Sequence, residues 1–251
     1  MAGYAALADV YEWLKPDAKS SPEGSTAALA DLVGPLETGA RVLDCSCGTG
    51  QLAVGLAGLG LRVTATDASA AMVRRTAELA AEYDVSVEAL QVPWSDLVHR
   101  LDGATFDLVL CVGNSLAHAE GASARSAALA AMARLLSPGG RLVLHSRNWE
   151  QVRAAGSRID VGDRLIRRHD RNALVIYYWE IQDLWEEEHH LEIAVAQVAA
   201  DGAVLTTSER LSFWPYRYDE LLDDLRSLGL RLSTTTFDSE ADGYAIVAER
   251  V

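Results

Sequence analysis

No apolar run in the 251-residue sequence approaches the ~18 residues that span a bilayer, so no membrane partner is expected. Cysteine is scarce: Cys45, Cys47 and Cys111 are the only three. An odd count with no second cluster argues against a disulfide framework, and it leaves a zinc site without its ligands. Cys45 and Cys47 are too close together for a CxxC pair and read as small buried residues. Basic residues are outnumbered, 22 against 36 acids, for a formal net charge of −14. Phosphate-backbone binding needs a basic footprint, so nucleic acid is excluded as the expected partner. The acidity reads as a solubility charge and leaves attraction of a cationic ligand open. No basic-then-apolar leader is seen, since Glu12, Lys15 and Asp17 come early, and a cytoplasmic setting is expected. No repeat period or low-complexity tract is present.

What is present is an alternation of apolar strands and helical segments. Residues 3–14 predict an amphipathic helix, with Tyr4, Leu7, Val10, Tyr11 and Leu14 on one face. Residues 15–24 read as a loop, and Ser25 or Thr26 as the cap of a second helix running to about Leu36. The stretch 41–50 reads as an apolar strand ending in a glycine loop, and further strands are expected over 61–66, 86–92, 106–112 and 140–146, the last following a Ser137-Pro-Gly-Gly140 turn. Helices are expected over 51–59, 69–81 and 122–136, with Gly60 ending the first of them. Strands separated by helices imply a doubly wound, largely parallel sheet.

The rhythm then changes. From Asp163 to about Phe213, the runs 165–170, 173–185, 189–202 and 203–214 are β-rich with no helix between them, and Asp201-Gly202 is a turn signal. This is an antiparallel meander, inserted to lid or flank a site at the strand C-termini. A helix over 218–228 and strands over 230–237 and 244–248 return to the main sheet. The expected fold is therefore α/β: a Rossmann-like, doubly wound, seven-stranded sheet with a β-meander insertion. One domain is expected to cover 1–251, comprising N-terminal helices over 1–36, a cofactor-binding core over 37–150, the insertion over 155–215 and the return over 216–251.

Gly48-Thr49-Gly50-Gln51-Leu52-Ala53 fits G-x-G-x-x-A, directly after a strand and opening a helix. Asp67 ends the next strand, seventeen residues beyond Gly50. Glycines admit a ligand close to the backbone, and a carboxylate at that strand end accepts ribose hydroxyls. A tight strand–helix turn would explain the glycines but not Asp67. By spacing alone the site suits NAD or S-adenosylmethionine.

Leu43-Asp44-Cys45-Ser46-Cys47-Gly48-Thr49-Gly50 resembles the first motif of class I S-adenosylmethionine-dependent methyltransferases. That resemblance implies S-adenosylmethionine as cofactor, S-adenosylhomocysteine as product and no metal. It places Asp44 near the methionine end of the ligand, with Ser46, Gly48 and Gly50 in the loop around it. The stretch 63–72 resembles the next motif, with Asp67 on the ribose, Ala68 beside it and Met72 packed on adenine. Pro93-Trp94 falls where the family holds the adenine edge. Phe106-Asp107-Leu108-Val109 and Leu135-Leu136-Ser137-Pro138-Gly139-Gly140 resemble the later motifs, in the family's order.

Narrower likenesses bear on the acceptor. The stretches 111–118 and 145–149 resemble glycine and sarcosine N-methyltransferases, which carry GNSFAH and DHRNY there. The resemblance implies that Asn114 and Arg147 face the substrate and that Val112, Ser115 and His118 lie near the cofactor. His118 is also a candidate catalytic group. His145 and Ser146 replace the family's acid and histidine, and Phe213-Trp214 stand where it has two tyrosines. Nucleotide-sugar N-methyltransferases resemble the later half about as well. Tyr11, on the first helix, is a candidate to close over the cofactor.

The expected activity is methyl transfer to a small-molecule acceptor, through an amine nitrogen, with a sugar N-methyltransferase or small-molecule O-methyltransferase as alternatives. An NAD-dependent oxidoreductase and a non-catalytic cofactor-binding protein are the rivals from other classes, and a homo-oligomer is left open. His189 and His190, beside Glu186, Glu187 and Glu188, read as a solvated turn rather than a metal site.

Overall fold

The computed structural model describes residues 4–162, 165–168, 171–199 and 201–251. Gly3, Asp163, His169, Asp170 and Ala200, which the sequence reading placed in the first helix or the meander, lie outside the described residues.

The chain alternates as expected: β1 (Arg41–Asp44), β2 (Arg62–Asp67), β3 (Val87–Gln91), β4 (Phe106–Cys111) and β5 (Leu136–Arg147) are parallel neighbours. A meander follows, of β6 (Arg158–Val161), β7 (Ile166–Arg168), β8 (Arg171–Glu180), β9 (His189–Val198) and β10 (Val204–Phe213). Then β11 (Leu230–Thr235) and β12 (Gly243–Arg250) rejoin the first sheet. The seven-stranded order is β11-β12-β5-β4-β1-β2-β3, with β12 antiparallel to both neighbours. The order reverses between β1 and β4, and open α/β sheets bind ligands beyond the strand C-termini at such a point. Val42, Leu43, Leu108, Val109 and Leu110 are fully buried, as expected of strands covered on both faces.

Four local expectations are corrected. The first helix is a 3-10 segment, Ala8–Leu14, and Tyr4 precedes it at φ 69°. Its buried face is Leu7, Val10 and Trp13, a spacing of three that suits three residues per turn. Residues 15–24 are not all loop. Ser21 Oγ accepts from the Gly24 N–H and caps the helix Pro22–Ala27, with Pro22 at the position where a missing N–H costs nothing. Ser25 and Thr26 instead donate to the Lys19 and Pro22 carbonyls, and a separate turn, Ala30–Val33, ends at Gly34. Ser137-Pro-Gly-Gly140 lies inside β5 as an irregularity: Phe106 pairs with Leu136 but Leu108 with Arg141. The sequence reading also missed the helix Trp149–Ala155, capped by the Asn148 side chain, and the strand β6.

Gly50 shows how tightly the glycine loop is packed. It opens the helix Gln51–Gly58 at φ 88°, and a Cβ there would lie 2.8 Å from Thr76 Cα, Cγ2 and Oγ1. Backbone strain and overpacking together are expected to make Gly50→Ala less stable by about 2–4 kcal/mol. Thermal melting checks this through a Tm lowered by roughly 5–15 °C; an unchanged Tm would contradict the packing.

Candidate functional site

The C-terminal ends of β1, β2, β4 and β5 open onto two cavities, of about 560 and 450 Å³, whose walls share Tyr4, Ser46 and Ser115. The first is lined by Asp67 and Ala68 after β2, Val92, Pro93 and Trp94 after β3, and His118. The second holds Asp44, Ser46 and Gly48 from the glycine loop, Val112 and Asn114 after β4, and His145 and Arg147 on β5. Tyr11 and Lys15 reach it from the N-terminal segment, and Tyr177, Leu191, Ile193 and Phe213 from β8, β9 and β10. The meander therefore does flank the strand ends.

The carboxylate of Asp67 accepts the N–H of Gly48 at 3.0 Å and of Ser69 at 2.9 Å, one per oxygen. Each oxygen keeps a lone pair for a hydroxyl group. Burial raises the pKa of Asp67. Asp44 is 1% exposed, and its carboxylate accepts the Ser46 N–H at 3.3 Å. Burial pushes its pKa up to about 7, with Asp67 adding to the rise and the Ser46 N–H and Lys15 opposing it. Burial pulls Lys15 down to about 8 while Asp44 and Cys47 push it back, and its ammonium donates to Gln51 Oε1. A buried acid and a half-buried amine thus face one end of the cavity. The Trp94 indole N–H donates to the Cys45 carbonyl at 2.7 Å, joining the end of β3 to the glycine loop. Ser46 and Ser115 both donate to the Val112 carbonyl.

Two residues assigned to the ligand in the sequence lie elsewhere. Gly50 faces Thr76 and belongs to neither cavity wall. Met72 is 2% exposed and also lines neither cavity, because its helix turns it into the protein.

His118 lines the first cavity, but both its ring nitrogens are engaged. Nδ1 is 2.7 Å from the Ser212 carbonyl, which only accepts, so that nitrogen carries the proton. Nε2 then accepts from the Tyr4 hydroxyl at 3.2 Å. Burial pulls its pKa down to about 4, so the ring is neutral. Tilted against Phe213 with ring centres 4.4 Å apart, it fastens the N-terminal segment and β10 to the core. In this structure its lone pair is committed to Tyr4 rather than open to the cavity.

Asn114 sits at φ 67°, in the left-handed region that asparagine tolerates. Its Oδ1 accepts the Arg147 N–H at 3.0 Å and its own N–H donates to the His145 carbonyl. The guanidinium of Arg147 lies 5.2 Å from the centre of the Trp179 ring. Among the described residues it has no hydrogen bond and no acidic partner. His145, two residues earlier on the same face of β5, lines the same cavity. Burial, then Lys19, then Arg147 pull its pKa down to about 4, and its ring has no hydrogen-bond partner among the described residues.

Lys15, Lys19, Tyr4 and Tyr177 were missed in the sequence, where nothing local marks them. His189 is no solvated turn: it is 1% exposed at the start of β9, with Arg153 Nη1 2.6 Å from its Nε2. Among the described residues, no cluster of three His, Cys, Asp or Glu could hold a metal, and no helix is long and apolar enough to cross a membrane.

Residues 42–140 match the family model described as a methyltransferase domain. The chain is 35% identical over 127 residues to a glycine/sarcosine N-methyltransferase of Parasynechococcus marenigrum (strain WH8102), covering 50% of this chain and 45% of the relative. It is 36% identical over 120 residues to a ubiquinone biosynthesis O-methyltransferase of Alkalilimnicola ehrlichii, covering 48% and 46%. These alignments span less than half the length of the curated relatives. Among solved structures, SAM-bound CalS10 from Micromonospora echinaspora, an amino pentose methyltransferase, superposes with a TM-score of 0.74 at 22% identity. That likeness covers 97% of this chain and 95% of CalS10, and shows a shared fold.

Proposed function

We propose that this chain, whose residues 42–140 carry a class I S-adenosylmethionine-dependent methyltransferase domain, methylates the nitrogen of a small-molecule amine that also bears an anionic group. The observation that carries the acceptor reading is the guanidinium of Arg147. It is braced by Trp179, lines the cavity and lacks an acidic partner among the described residues. A planar cation so placed is suited to bidentate capture of a carboxylate or phosphate.

The residues present fit the cofactor. In this reading Asp67 takes the ribose hydroxyls, while Ala68, Pro93 and Trp94 flank the base. Asp44 faces the amino group of the methionine end, and Lys15 its carboxylate. NAD fits less well. Its pyrophosphate would need free N–H groups at the glycine loop, yet the Gly48 N–H is donated to Asp67, and the buried Asp44 would repel it.

When bound, S-adenosylmethionine supplies a methyl group already activated by the adjoining sulfonium. The chain's own task is alignment, worth up to ~7–11 kcal/mol of barrier. Arg147 fixes the anionic end of the acceptor, and Asn114, locked through its side-chain oxygen to the Arg147 N–H, lines the cavity beside it. Amino acids and phosphorylated or nucleotide-linked amino sugars both meet the requirement of an amine with an anion. The glycine/sarcosine relative supports the first, and the amino pentose enzyme's likeness over the whole chain supports the second.

Calorimetric titration tests the reading. S-adenosylmethionine and S-adenosylhomocysteine are expected to give a binding heat and NAD none. A heat from NAD alone would remove the methyl-donor site.

A further inference from the structure

We propose that His145 is a catalytic residue, which accepts the N–H of the acceptor amine and takes up the proton that nitrogen loses. The proposal rests on the anionic-amine reading above and assigns the partner of the amine end. His145 and Arg147, two residues apart, lie on the same face of β5, and the Ser146 hydroxyl between them accepts from the Tyr216 hydroxyl. At about 3.3 Å of rise per residue, their Cα atoms stand roughly 6–7 Å apart along the strand. An acceptor anchored by its anion on Arg147 therefore presents its other end to the imidazole.

The other groups facing this cavity do not suit the role. Asp44, buried against the glycine loop, is taken in the reading above by the amino group of the methyl donor. Asp242 is exposed at the rim. Lys15 is held by Gln51 Oε1 and is assigned above to the methionine carboxylate, and a charged Lys19 carries no lone pair. The pKa values of Tyr11 and Tyr177 are raised, which keeps their hydroxyls protonated. The Tyr4 hydroxyl is donated to His118, which lines the other cavity with both ring nitrogens engaged. His145 keeps a neutral ring with a lone pair, held so by burial, Lys19 and Arg147.

Docking of an anion on Arg147 cancels part of the positive charge that depresses the imidazole. Its proton affinity therefore rises when the acceptor is in place. The proton step balances simply. The acceptor docks as its ammonium form: one N–H bond breaks, its proton bonds to the imidazole lone pair, and the pair left on nitrogen would form the bond to the methyl carbon as the methyl–sulfur bond breaks and its electrons stay on sulfur. The imidazolium then returns the proton to solvent.

Binding without turnover tests this. Matched pairs are titrated into the protein saturated with S-adenosylhomocysteine: glycine with acetate, leucine with 4-methylpentanoate, glucosamine 6-phosphate with glucose 6-phosphate. In at least one pair the amine is expected to bind about tenfold tighter than its counterpart, the equivalent of one good hydrogen bond. His145→Leu should erase that advantage and leave the counterpart's Kd unchanged, while His145→Gln, which keeps an acceptor oxygen, should retain most of it. An advantage that survives in His145→Leu overturns the proposal, as does an equal loss for both members of the pair. If the anions bind and the amines bind no better, His145 loses its role while the Arg147 anchor stands. If nothing in any pair binds, the anionic-amine reading falls and takes this proposal with it.

Discussion

Replacing Arg147 by lysine is expected to lower kcat/KM for the methyl acceptor by about ten- to a hundredfold, the range of a lost charged hydrogen bond. The affinity for S-adenosylhomocysteine should barely change. Lysine keeps the positive charge but replaces a planar fork by a point donor, so an anion is still attracted yet no longer held in one orientation. Misorientation matters in a reaction whose barrier the protein lowers mainly by alignment. The alternative role, bracing the fold through Trp179, makes a different prediction: a lower Tm and weakened cofactor binding. That alternative is checked by the structure itself, because Arg158 also lies 5.2 Å from the Trp179 ring and stays in the variant. The meander keeps a cation on that ring when Arg147 is shortened. Kinetics with an identified acceptor, alongside melting curves, separate the two; unchanged acceptor kinetics would remove the anionic-acceptor hypothesis.

Asp67→Ala is expected to weaken S-adenosylhomocysteine binding by more than tenfold, since a hydrogen bond to a charged group contributes roughly 1.5–3 kcal/mol. The loss has two sources. The variant loses the acceptors for the ribose hydroxyls, and it releases the N–H groups of Gly48 and Ser69 that the carboxylate holds. Asp67→Asn should be milder than alanine but not neutral. One of its two terminal atoms becomes an NH2 group facing a backbone N–H, so half of the loop's support turns repulsive. Calorimetry gives the affinity, and hydrogen exchange at Gly48 reports the loop. Parent-like affinity in Asp67→Ala would show that the ribose is bound elsewhere.

The parts of this site that were readable in the chain are those built from neighbouring residues. Asp44, Gly48, Asp67, Pro93 and Trp94 lie at the ends of consecutive strands, so strand–loop–helix order brings them to one edge of the sheet. The 3-10 segment was misread because the spacing of Tyr4, Leu7, Val10, Tyr11 and Leu14 suits an α-helix almost as well as Leu7, Val10 and Trp13 suit a three-residue turn. Only packing against the core chooses between them. Met72 is buried and lines neither cavity, and a helical position near the motif does not by itself say which way the helix faces.

His118 illustrates the limit more sharply. A histidine after β4 is equally compatible with catalysis and with bracing. What decides is a hydroxyl on Tyr4, 114 residues away, and a carbonyl on Ser212, 94 residues away. The second cavity is assembled in the same manner, from the N-terminal segment, the ends of β1, β4 and β5 and three strands of the meander. The sequence by itself determined the order of strands and helices, the glycine loop and the acid at the end of β2, because backbone propensity and apolar periodicity act over a few residues. The tertiary structure alone decided which of His118 and His145 keeps a free lone pair and that Arg147 lacks an acidic partner among the described residues. Those properties belong to side chains brought together across the whole chain, where burial and neighbouring charge set protonation and reach.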